Sequence, residues 1–255
     1  MIQKLHIFIS IFFIISSCSS NLKNLEEPKH IKNEQYIKHF AYSLQYNEKN
    51  EQADWVAYNL ISSELIKKFK RTNKFKKDTL VITKTADNND YKHSGYDKGH
   101  LAPAADMVWN KKAITESFYF SNISPQLASF NRGMWKRLEK QTRDWAKKYN
   151  SIYITCGPLC KDSNKTIGKD SIVIPTYFYK ALLIYNDTIK QAIGFIFPHK
   201  KCKGKILDYA INIDSLEKFT KLDFFYKLPN NIENKIEKNY DKSFWFNLEN
   251  SDLNN

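Results

Sequence analysis

Apolar and polar residues alternate along Ala41–Asn47 and again along Trp55–Ser62, as in half-buried strands. The polar run NEKNEQAD between them predicts a hairpin. Ser151–Cys156, Thr176–Tyr185 and Gln191–Pro198 are rich in β-branched and aromatic residues and predict three more strands. The last two are joined by the hairpin-like NDTIK. From Asn131 to Tyr149 the period changes. Met134, Trp135, Leu138, Thr142, Trp145 and Tyr149 recur at three- and four-residue spacing, the stripe of a helix. That stripe makes Trp135 and Trp145 core residues. Lys147 and Lys148 suit the helix's C-terminal end. Asp214–Leu228 starts as a helix capped by Asp214. Residues 85–107 have no period but concentrate Asp, Gly, His and Pro, which predicts a shaped loop. The pattern predicts one α+β domain with a central antiparallel sheet flanked by helices.

The ends of the chain read differently. Lys4 precedes an apolar run, Leu5–Ile15, too short to span a membrane stably. Ser16, Ser17 and Cys18 follow, and this segment resembles the lipobox of bacterial lipoproteins. It implies a signal peptide over 1–17, lipidation of Cys18 and an exported protein anchored to a membrane, periplasmic or at the cell surface. An ordinary signal peptide would make the protein secreted. Residues 18–33 read as a tether, 34–230 as the domain and 231–255 as a polar tail. With Cys18 lipidated, Cys156, Cys160 and Cys202 remain. They allow at most one bond, of which Cys160–Cys202 is one pairing. Their spacing does not suit structural zinc.

Composition excludes disordered, collagen-like, coiled-coil and polytopic membrane classes: 42% of the 255 residues are hydrophobic and 15% aromatic, with 7 glycines. The net charge of +13 suits an anionic partner. Of the 40 basic residues only Arg71, Arg132, Arg137 and Arg143 are arginine.

The chemistry concentrates in Asp97-Lys98-Gly99-His100-Leu101-Ala102-Pro103. A histidine there suits proton abstraction near neutral pH. Asn122-Ile123-Ser124-Pro125-Gln126 follows, then Asn131-Arg132-Gly133-Met134-Trp135-Lys136-Arg137-Leu138-Glu139. In this order and spacing the segments match the signatures D-[RK]-G-H-x-x-P, N-x-x-P-Q and N-x-G-x-W-x-x-L-E. Together they resemble the DNA/RNA non-specific endonuclease family of the ββα-metal superfamily (endonuclease G-like). The likeness runs from Tyr42 to Leu228.

The resemblance implies a ββα-metal active-site motif and a metal-dependent endonuclease of low sequence specificity. Its substrate would be DNA, with RNA left open. It implies His100 as general base and Asn131 as the direct protein ligand of Mg2+, with Mn2+ as a substitute. Glu139 would act near the metal's waters, and Arg71 and Lys98 would meet the phosphate. Lys98 replaces the family's commoner arginine, which keeps the charge but loses the planar fork. Eight residues separate Asn131 from Glu139, about two helical turns and so one face. Asp97 reads as orienting the loop, and Asn122 and Gln126 as bracing it. The competing reading is a surface lipoprotein that binds nucleic acid on a nuclease scaffold without cutting it.

Overall fold

The computed structural model describes residues 22–246. The signal, the lipobox and Cys18 lie outside them. In chain order the elements are β1 (Gln35–Lys38), β2 (Ser43–Asn47), β3 (Gln52–Ile61), α1 (Asn88–Tyr91), β4 (Asp97–His100), α2 (Lys111–Glu116), β5 (Ile123–Gln126), α3 (Ala128–Phe130), α4 (Lys136–Tyr149), β6 (Ser151–Leu159), β7 (Thr166–Ile167), β8 (Ile172–Val173), β9 (Tyr177–Tyr185), β10 (Lys190–Pro198), β11 (Ala210–Ile211), α5 (Ile213–Thr220), α6 (Asn230–Lys238) and α7 (Lys242–Phe246).

Seven strands form one antiparallel sheet in the order β1-β2-β3-β6-β9-β10-β11. The expected hairpins β2–β3 and β9–β10 lie within it. Side chains on a strand alternate between faces, and here both faces are covered. On β9, Phe178, Leu182 and Ile184 join a core with Trp135, Leu138 and Trp145. Their neighbours Tyr179, Ala181 and Leu183 join a second core with Ile213 and Leu216 of α5. Covering on both sides explains why the central strands read as nearly continuous apolar runs.

The predicted loop over residues 85–107 contains structure. Asp97–His100 is strand β4, paired antiparallel with β5 so that His100 faces Ile123. A four-residue strand whose partner lies more than twenty residues on leaves little local period to read. The expected helix from Asn131 is also divided. Asn131–Trp135 is a wide π turn in which Gly133 leaves the helical region (φ −100°, ψ −113°), and regular helix starts at Lys136. Trp135 and Trp145 are buried, as their place on the stripe predicts. The cap of α5 is Asn212, whose side chain accepts from the Ser215 N–H, rather than Asp214.

Both ends of the domain are longer than their polarity suggests. Leu25 and Glu27 are buried in the stretch read as tether. Glu27 accepts from the Tyr36 and Ser43 hydroxyls and from the Lys227 ammonium. In the stretch read as tail, α6 and α7 pack on the domain. Trp245 is buried with its ring 4.9 Å from that of Trp145 at 78°. Cys156 is buried within β6, and Cys156, Cys160 and Cys202 are all free thiols, so the Cys160–Cys202 pairing is not formed.

Candidate active site

The β4–β5 ribbon presents His100, and the π turn that follows β5 presents Asn131. Gly99 lets the two strands close: a Cβ there would stand 2.3 Å from the Gln126 side chain. The His100 ring is edge-on to Phe118 at 4.9 Å and lies 5.5 Å from Phe75. The residue is only 8% exposed, and its Nε2 has no hydrogen-bond partner. Burial, reinforced by the nearby Arg71 cation, pushes the imidazole down to about 3. It is therefore neutral across the physiological range, with a lone pair available.

Asn122 braces the chain just after His100. Its Oδ1 accepts from the Ala102 N–H at 2.8 Å, and its Nδ2 donates to the Ala102 and Ser117 carbonyls at 2.9 and 2.8 Å. Gln126 acts differently. Its buried amide has no hydrogen-bond partner and packs against Gly99.

Asp97 ties β4 to the π turn. One carboxylate oxygen accepts from Asn131 Nδ2 at 2.9 Å. Arg132 donates to both oxygens, from Nε at 2.9 Å and Nη2 at 2.7 Å. These donors hold the Asp97 carboxyl below its usual range despite the opposing effect of burial. With Nδ2 engaged, Oδ1 is the Asn131 atom left to face a ligand.

Arg71, Lys98, His100, Asn131 and Glu139 all line one cleft of about 540 Å³. Arg71 lies 5.4 Å over the Phe118 ring that also contacts His100. Lys98 lies 4.5 Å over Phe75 and donates to Asn88 Oδ1 at 2.7 Å; partial burial lowers its pKa. Arg132, Lys136 and Arg143 line the cleft as well. Cations thus outnumber the two lining carboxylates, Asp97 and Glu139.

Glu139 reaches the cleft from the first turn of α4 although Asn131 precedes the helix proper. The shared placement comes from the kinked turn rather than from two ideal helical turns. Enough protein surrounds the partly exposed Glu139 that burial pushes its carboxyl up to about 7. Lys180 pulls it back, Asp106 adds to the rise, and Arg143 and Arg71 oppose it.

Three contributors here have no signature of their own in the sequence. Asp106 is buried, accepting from Arg143 Nη1 and the Tyr58 hydroxyl, each at 2.8 Å. Lys180 is fully buried on β9 without a hydrogen-bond partner, its ammonium 4.9 Å over Trp135. A lone lysine in the apolar run TYFYKALLIY was the available signal. The third is the Asp97–Arg132 pair, whose partners lie far apart in the chain.

The cleft's donors suit a hard divalent ion. Asn131 Oδ1 would offer one oxygen ligand and the Glu139 carboxylate a partner for the ion's waters, and Mg2+ binds with few protein ligands while keeping several waters.

Comparison with known proteins agrees with this geometry. Residues 22–231 match the family model described as DNA/RNA non-specific endonuclease. Over 199 residues the chain is 34% identical to the mitochondrial nuclease EXOG of Danio rerio, covering 71% of this chain and 58% of that protein. Nuclease C1 of Cunninghamella echinulata var. echinulata is 32% identical over 215 residues, covering 76% and 83%. A crystal structure of the EndoG/EndoGI complex superposes with a TM-score of 0.71 at 28% identity, covering 76% of this chain and 87% of that one. The chain therefore spans little more than half of some relatives and most of others, and its fold is that of a ββα-metal nuclease. On the strength of the matched span and of these relatives, the chain belongs to the DNA/RNA non-specific endonuclease family.

Proposed function

We propose that the chain hydrolyses phosphodiester bonds of DNA and RNA with low sequence specificity, using His100 as general base and a divalent ion, Mg2+ or Mn2+, held by Asn131. One observation carries this reading. A buried, neutral His100 and an Asn131 amide pinned by Asp97 line the same cationic cleft.

His100, neutral and lining the cleft, accepts the proton of the attacking water on its imidazole. Arg71, Lys98 and Lys136 bind the phosphodiester and offset charge that grows on its oxygens. A bound phosphate also neutralises Arg71, which removes one cause of the low His100 pKa and strengthens the base as substrate arrives. The bound ion would supply positive charge for the departing oxygen, with Asn131 as its protein ligand and Glu139 near its waters. The products carry a 5′-phosphate and a 3′-hydroxyl. Phosphate contacts carry no sequence information, which accounts for low specificity and predicts strong salt dependence.

The same proposal places the protein outside the cytoplasm, anchored to a membrane through lipidated Cys18. Labelling with a fatty-acid analogue should be lost in Cys18→Ser; labelling that persists would remove the anchor from the account.

The nuclease test incubates the chain with plasmid DNA and with RNA, in Mg2+, in Mn2+ and in chelator. Metal-dependent degradation of nucleic acid, lost in Asn131→Ala, is expected. Retention of nucleic acid without turnover in every metal would instead support the binding-only scaffold.

A further inference from the structure

On the sheet face opposite the cleft, α5 and α6 bring three carboxylates together. Asp214 and Glu217 stand three residues apart on α5, and Glu237 lies near the end of α6. One carboxylate oxygen from each lies within 4.8 Å of the others. Among the described residues, none of the three has a lysine or arginine nitrogen within 4.0 Å. Glu237 is only 6% exposed, and its Oε1 is shielded from water with no hydrogen-bond partner. The neighbouring contacts hold the cluster shut. Asn212 at the start of α5 donates from Nδ2 to the Lys238 carbonyl at 2.7 Å, and Glu217 accepts from the Phe224 N–H at 2.7 Å. A buried carboxylate of this kind requires a proton or a cation.

We propose that Asp214, Glu217 and Glu237 form a structural site for a divalent cation of the calcium class, separate from the catalytic cleft. All three ligands are hard oxygens. Calcium–oxygen distances of about 2.3–2.6 Å let oxygens sharing one ion stand up to about 5 Å apart, as these do. Mg2+ prefers shorter distances of about 2.0–2.1 Å and a stricter octahedron. Asp214 and Glu217 are partly exposed, so water and second carboxylate oxygens can complete six to eight ligands. The ion would cross-link α5 to α6 and act on stability rather than on the reaction.

A proton competes for the same place. Burial, with Glu217, Glu233, Asp214 and Asp223 close by, pushes Glu237 up to about 9. Cation binding near neutral pH should therefore release protons.

The test titrates CaCl2 into an Asn131→Ala chain, so that the cleft's ligand is absent. Calorimetry should find one Ca2+ per chain. At a hundredfold excess over Kd the thermal midpoint should rise by roughly 5–10 °C. Adding Glu237→Gln, or separately Asp214→Asn, should abolish both effects. Each variant should fold without Ca2+ at a midpoint no lower than its parent's: Glu237→Gln replaces a carboxyl that already holds a proton near neutral pH, and Asp214→Asn removes a repelling charge. With Asn131 intact, each should leave the nuclease rate in Mg2+ unchanged. No bound Ca2+ in the Asn131→Ala chain, or binding retained in both added variants, would overturn the proposal.

Discussion

Replacing Asp97 by alanine tests how the cleft is held in register. The change removes three hydrogen bonds, one from Asn131 Nδ2 and two from Arg132. The Arg132 side chain is 73% exposed, so its ion pair is screened by water and adds little. The bond from Asn131 ends on a mostly buried carboxylate and is worth about 1.5–3 kcal/mol as a charged-group hydrogen bond. Global stability should therefore fall by about 2 kcal/mol, a shift of roughly 4–8 °C in the thermal midpoint. The larger effect falls on metal use. Without Asp97 the Asn131 amide can rotate, and losing a group that orients a metal ligand costs roughly 10–100-fold in affinity or activity. Initial rates of plasmid nicking against Mg2+ concentration would measure this. The half-saturating Mg2+ should rise at least tenfold in Asp97→Ala, whereas Arg132→Ala, which leaves the Asn131 bond intact, should shift it much less. Unchanged Mg2+ dependence in a folded Asp97→Ala chain would refute the positioning role.

Other substitutions test the surrounding structure. Arg143→Ala leaves the Asp106 carboxylate buried with only the Tyr58 hydroxyl, and should lower unfolding stability by about 3–5 kcal/mol in a urea titration. Trp245→Ala removes the ring against Trp145 and should cost about 3–5 kcal/mol by the same measurement; a loss under 1 kcal/mol would return the C-terminal helices to the status of a tail. His100 has a pH signature. Its folded value of about 3 lies below the unfolded 6.5, so the unfolded chain takes up the proton first as pH falls. Its stabilising contribution is intact above pH 6.5 and drains away down to about pH 3, by up to about 4–5 kcal/mol. His100→Asn should flatten the acid limb of a stability–pH curve in that window, and an unaltered limb would contradict burial of the neutral ring.

Legibility in the sequence tracked how local each cause was. Side-chain alternation marked the β2–β3 hairpin, and β-branched and aromatic content around a short polar turn marked β9–β10, because each signal shows within a few residues. The ordered motifs contain Lys98, His100, Asn131 and Glu139, the wider resemblance adds Arg71, and the fold brings all five to one cleft. What escaped depended on distant partners or on backbone detail. The stripe from Met134 to Tyr149 ran through Gly133 without revealing the π turn there. Trp245 fell in the stretch read as a polar tail because its partner, Trp145, is a hundred residues earlier. Leu25 and Glu27 sat in a polar stretch, and only the folded chain brings Tyr36, Ser43 and Lys227 to Glu27. Lys180 is a charge inside an apolar strand, but its closeness to Glu139 exists only in the folded chain, where its ammonium lies over Trp135.

The central claim, that His100 activates the attacking water in a metal-assisted cleft, is tested most directly by one comparison. The chain and its His100→Ala variant would be assayed at pH 7.5 on plasmid DNA with saturating Mg2+, after circular dichroism shows that both are folded. The account predicts metal-dependent cleavage by the chain and a rate lower by about 10²–10⁴-fold in the variant. Cleavage within tenfold of the parent rate, or cleavage that persists in excess chelator, would contradict it.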